Sequence, residues 1–163
     1  MAALIIYASP LSADDEERIT PVTNQNYSKE CGSCHFAYQP GLLPASSWRL
    51  LMDELEDHFG DNAELETETR KALTDYLAKN AADFSRDEFS RKLVRSLSKD
   101  KTPERITEIP YFVHEHDDLP KKMVSDNSKV KSLSYCDKCH TRAEAGSYSE
   151  DEINIPGYGS WDD

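Results

Sequence analysis

Residues 30–60 read ECGSCHFAYQPGLLPASSWRLLMDELEDHFG, and a shorter run at 136–140 reads CDKCH. Both carry the pattern Cys-x-x-Cys-His: Cys31, Cys34 and His35 in the first, Cys136, Cys139 and His140 in the second. The chain has four cysteines, and these two runs use all of them. After the first run, Pro44-Ala45-Ser46 sets the start of a helix, with Ser46 or Ser47 as N-cap. Trp48, Leu51, Met52, Leu55 and Phe59 then recur at helical spacing, and Gly60 suits the position just past a helix end. His58 lies seven residues after Leu51 and three after Leu55. That spacing puts it on the apolar stripe of the helix, away from the Asp53/Glu54/Asp57 face.

Outward from this stretch, Leu65, Thr69, Ala72, Leu73, Tyr76 and Leu77 predict a second helix over 64–80. Phe89, Leu93 and Leu97 predict a third near 86–98. Residues 106–119 are irregular, with Pro110 and Pro120 bracketing Tyr111-Phe112-Val113-His114-Glu115-His116. Residues 121–134 are basic and Ser-rich, anchored by Val124, Val130 and Leu133. The tail, with Pro156, Gly157 and Gly159, is too broken for a helix. No stretch shows sustained strand-like alternation. The chain reads as all-α, a small helical protein with much irregular connection.

Only 37% of the 163 residues are hydrophobic, 31% are charged, and mean hydropathy is −0.73. That is a lean supply for a packed core, and a large apolar cofactor would supply much of the missing interior. The net charge is −12, which argues against nucleic acid as a partner, because phosphate recognition needs Lys/Arg patches. The same charge favours a partner with a basic docking patch. No stretch approaches the roughly 18 apolar residues of a membrane span.

Cys-x-x-Cys-His is the attachment signature of c-type haem. The two thiols bond to the porphyrin vinyl groups, and the adjacent imidazole points at the iron as the first axial ligand. Cys31, Cys34, Cys136 and Cys139 are therefore read as attaching two haems, with His35 and His140 on the irons. A zinc ribbon spaces its Cys pairs by about 15–20 residues, against about 100 here between Cys34 and Cys136. A thioredoxin-like pair needs a βαβ context, which is lacking. The sixth position of each iron has as candidates His58, His114, His116, Met52 and Met123. His58 leads, because a haem needs a ligand on the buried stripe. His114 and His116 are two residues apart, so at most one of them faces a given haem.

The combination of residues 30–60, RITEIPYFVHEH, CDKCH and INIPGYG closely resembles the bacterial dihaem cytochrome c family of periplasmic electron carriers. The likeness covers most of the chain from about residue 27 onward. It implies bis-histidine ligation at both haems, with the distal ligands falling on His58 and, best, on His116. It further implies electron exchange with another haem protein, a monohaem cytochrome c or a membrane cytochrome b, and no catalytic role. Chain proximity pairs His58 with the first haem and His116 with the second, although a crossed arrangement stays open. The rival readings are a dihaem enzyme with one open axial site, an electron-entry subunit of a reductase complex and a haem-based sensor.

Met1–Ala13, MAALIIYASPLSA, resembles the end of a secretory signal whose basic beginning is missing. Export to the periplasm is the matching expectation. The remaining 14–163 is expected to form one dihaem unit, with an N-terminal haem lobe at about 27–100 and a C-terminal one at about 101–163.

Overall fold

The computed structural model describes residues 17–161; the segment read as the end of an export signal lies outside them. The protein is mostly helical with irregular connections. Its α-helices are α1 (Gln25–Cys31), α2 (Ala45–Asp53), α3 (Thr67–Lys79), α4 (Glu88–Ser96) and α5 (Pro110–His114). Single 3-10 turns link most of them. Near the C-terminus, β1 (Asn154–Ile155) and β2 (Gly159–Ser160) form a minimal antiparallel hairpin.

The start of α1 is capped by the Asn24 side chain, which accepts from the Tyr27 N–H. Helix α2 starts one residue before the expected serines. Its first orphan N–H, on Ala45, donates to the Asp83 carboxylate instead of to a serine hydroxyl. The helix also ends earlier than its apolar spacing predicts, at Asp53, and gives way to a 3-10 turn at Leu55–Asp57. Asp53, Glu54, Glu56 and Asp57 crowd that end, where the helix dipole disfavours negative charge. His58 consequently sits in a turn, not on the helical stripe. Phe59 (φ 58°) and Gly60 (φ 100°) reverse the chain there, and His58 and Asp61 exchange backbone hydrogen bonds.

Helices α2 and α3 pack together through Leu51, Leu73 and Leu77, while α4 packs on α5. One apolar cluster runs from Ile19 through these helices to Phe112, Cys136, Ala143 and Tyr148. Long-range polar links stitch the first half of the chain to the second. The buried Gln39 amide donates to the Ala143 carbonyl (2.6 Å), and its oxygen accepts from the Tyr148 hydroxyl (2.7 Å). Tyr38 donates to the Ser134 carbonyl. The Ile19 N–H reaches the Gly146 carbonyl (2.9 Å), and a Cβ on Gly146 would fall 2.1 Å from the Ile19 carbonyl oxygen. Only glycine allows that approach, and its left-handed backbone favours glycine as well.

Candidate haem sites

The first Cys-x-x-Cys-His run begins at the last residue of α1 and leaves it through a turn. That geometry carries Cys31, Cys34 and His35 to the wall of a large cavity. Trp48, Leu51, Met52 and Leu55 supply its apolar side. Trp48 is buried, and its indole N–H donates to the Pro40 carbonyl (2.7 Å), which fixes the ring. His58 enters the same cavity from its turn. The His35 and His58 rings are 6.3 Å apart, centre to centre, with their planes 26° apart. The empty space, including its mouth, is about 1830 Å³.

The second run lies on a 3-10 turn, Cys136–Lys138, and opens a second cavity of about 1150 Å³, again including its mouth. His140 meets His116 there, with ring centres 6.1 Å apart and planes at 65°. His116 stacks on Phe112 (4.0 Å, 11°), and its Nδ1 lies 2.8 Å from the Phe112 carbonyl oxygen. His114 points away. Its side chain is 80% exposed, and Nδ1 lies 4.0 Å from the Asp117 carboxylate. The two cavities share a wall of Ile106, Phe112, Leu133, Tyr135 and Cys136.

Two imidazoles facing each other across one metal have ring centres about 6.2 Å apart, given metal–nitrogen bonds of about 2 Å and about 1.1 Å from nitrogen to ring centre. Both histidine pairs meet that spacing. In His35, as in His116, Nδ1 is engaged by a backbone carbonyl, that of Phe36 at 2.8 Å. This leaves Nε2 as the nitrogen available to a metal. His140 Nδ1 differs, being buried without a hydrogen-bond partner. Burial, and next the neighbouring His116, pushes His140 down to about 4. Burial, then His35 and Arg105, lowers His58. Both are thus held as neutral imidazoles, the form that ligates metal.

None of the four cysteines is bridged to another, so all four sulfurs remain for haem attachment. Burial, then Glu30, pushes Cys31 up to about 11, and burial pushes Cys136 up to about 12. Burial, then Asp137, raises Cys139 as well. Lowered values mark thiolate chemistry, and none of these three is lowered. A pair of imidazoles and a pair of unbridged cysteines at each cavity together fit two haem c groups. Sequence reading passed over three neighbours of these sites. Arg105 lies over the Phe59 ring at 3.8 Å, while Tyr148 and Tyr135 line the second cavity. None stands at a motif spacing; each arrives through tertiary packing.

Comparison with known proteins gives one consistent answer. The family model for dihaem cytochrome c matches residues 27–148. No curated protein matches the chain. Among solved structures, the diheme cytochrome type c of Shewanella baltica is 43% identical, with a TM-score of 0.72, over 85% of this chain and 98% of that one. A diheme cytochrome c from Rhodobacter sphaeroides is 40% identical, with a TM-score of 0.71, over 80% of this chain and 100% of that one. The DHC purified from Rhodobacter sphaeroides is 37% identical, with a TM-score of 0.64, over 78% of this chain and 99% of that one. The chain therefore belongs to the dihaem cytochrome c family and carries two covalently bound haem c groups.

Proposed function

We propose that this protein carries single electrons between redox partners through two bis-histidine haems, without catalysing a reaction of its own. In this reading Cys31 and Cys34 attach the first haem, with His35 and His58 on its iron. Cys136 and Cys139 attach the second, with His140 and His116 on its iron. The observation that carries the proposal is the pair of imidazole separations, 6.3 and 6.1 Å, each matching two rings that share one metal. Each iron, when bound, supplies one-electron exchange between ferric and ferrous states.

The chain's own residues then do the rest. Paired imidazoles fill both axial positions, so no exogenous ligand needs to enter or leave during turnover. Imidazole on both sides keeps the potential lower than methionine would. Buried Met52 stays in the core, where a Met most often packs. The two cavities share a wall through Phe112 and Cys136, so haems held in them would be neighbours and could exchange an electron over a short path. Among the described residues, no helix is long and apolar enough to cross a membrane. Separately, the family resemblance supports an exported, periplasmic protein whose partners are other haem proteins, a monohaem cytochrome c or a membrane cytochrome b.

Carbon monoxide added to the reduced protein tests the ligand assignment. The native protein is expected to keep an unchanged low-spin spectrum. His58→Ala opens one of the two haems to the gas, His116→Ala opens the other, and His114→Ala opens neither. A rapid spectral shift in the native protein, or two inert haems in His58→Ala, would show the assignment to be wrong.

A further inference from the structure

The basic segment 121–134 supplies no cysteine or histidine, yet it forms a wall of the second cavity. Val124, Val130 and Leu133 turn inward to line that cavity, while Lys121, Lys122, Lys129 and Lys131 are exposed. The segment holds four lysines and one aspartate, in a chain with 19 basic and 31 acidic residues. None of the four lysines joins an ion pair among the described residues.

The strap is also well tied. The Asn127 amide donates to the Pro156 carbonyl (2.9 Å), and the Tyr158 hydroxyl donates to the Lys122 carbonyl (3.0 Å). The Lys131 N–H donates to the carbonyls of Asn127 and Val124, although Lys131 takes a left-handed backbone (φ 72°) that favours glycine. A lysine held there keeps its charge on the outside of the bend. At the end of the strap, Tyr135 is 37% exposed and lines both cavities. The cavity linings are acidic, Glu30, Asp61, Glu64 and Glu104 against Arg105 in the first and Glu17, Glu115 and Glu150 in the second, so the positive charge here lies on the strap's outer face.

We propose that the outer face of this strap, with Tyr135 at its edge, is a docking surface for a redox protein whose own cofactor is rimmed by carboxylates. The inference rests on the electron-carrier reading above. Charge complementarity selects the partner: a carboxylate rim is attracted by the strap and repelled by the rest of a chain with net charge −12, so it settles over the second haem. There, one electron passes between the haem iron and the partner's one-electron centre, with no bond made and no proton moved.

The test compares two oxidants of one fold, native mitochondrial cytochrome c, which is basic, and the same protein with its lysines succinylated to carboxylates. Each is mixed with the reduced holoprotein in stopped flow. Charge reversal of the strap (Lys121→Glu, Lys122→Glu, Lys129→Glu and Lys131→Glu together) should slow oxidation by the succinylated form about tenfold at low ionic strength. The loss should shrink in about 0.5 M salt, where the Debye length is only a few ångströms. A control carrying Lys71→Glu, Lys79→Glu, Lys99→Glu and Lys101→Glu makes the same change in net charge and should slow it far less. The milder Lys→Gln set at the strap should show the same order, with an unchanged haem spectrum in every variant.

Equal slowing in strap and control variants would overturn the docking face while leaving the carrier reading intact. A native protein that passes no electron to either oxidant would overturn the carrier reading. Strap-dependent binding to phosphatidylglycerol vesicles, with no change in the electron-transfer rates, would assign the face to a lipid surface and refute the proposal.

Discussion

The two candidate haem sites each join one attachment motif to a pair of imidazoles, yet the second imidazole of each pair is held in a different way. In the first, His58 stands in a reversed turn beside exposed Phe59, which is held by the Arg105 guanidinium. In the second, His116 follows directly from α5, stacks on Phe112 and bonds its carbonyl. His140 is half-buried there with its Nδ1 enclosed, next to a buried network of Tyr148, Gln39 and Ala143. The first pair of imidazole planes is nearly aligned, at 26°, and the second is strongly crossed, at 65°. Cys-x-x-Cys-His therefore specifies only the proximal half of each site. The distal half, and with it the electronic character of the iron, is decided by how remote segments pack.

Four substitutions bear on that contrast. The largest difference should come from the distal histidines themselves, where His58→Ala and His116→Ala each expose a different haem to carbon monoxide. Next is Tyr148→Phe, which leaves the buried Gln39 oxygen without its donor. Its cost should be about 1–3 kcal/mol of stability, read by denaturant unfolding of the holoprotein. The first haem's spectrum should stay unchanged. An effect near zero would mean that this network does not support the second site. Smallest is Arg105→Gln, which removes a cation–π contact worth about 0.5–1 kcal/mol at an exposed site. It should loosen the Phe59 turn enough to give slow carbon monoxide binding at the first haem alone. Equal reactivity at both haems would contradict a local role for Arg105.

The sequence was most legible where chemistry is local. Both attachment runs are contiguous, and the helices at 45–53, 67–79 and 88–96 follow their apolar periodicity. His58 was singled out by a helical stripe that stops short of it; acidic crowding ends α2 at Asp53, and the turn delivers the residue instead. The choice between His114 and His116 was open in the residues, because two-residue spacing says only that they diverge. In space, the end of α5 turns His116 back onto Phe112 and toward His140 while His114 is exposed, which supports reading His116 as the ligand. Gln39, Tyr148 and Arg105 left no local trace. The Gln39 contacts join residues 104 and 109 positions apart, and no spacing rule reaches that far.

Electron paramagnetic resonance of the fully oxidised protein tests the central claim, two bis-histidine irons of unequal geometry, most directly. Aligned imidazole planes split the iron's two π-type d orbitals strongly, whereas crossed planes leave them nearly equal. Two distinct low-spin ferric signals of equal weight are expected, a rhombic one from the His35/His58 site and a more axial one with a large maximum g from the His116/His140 site. A high-spin signal, or a single low-spin species accounting for both irons, would contradict this account.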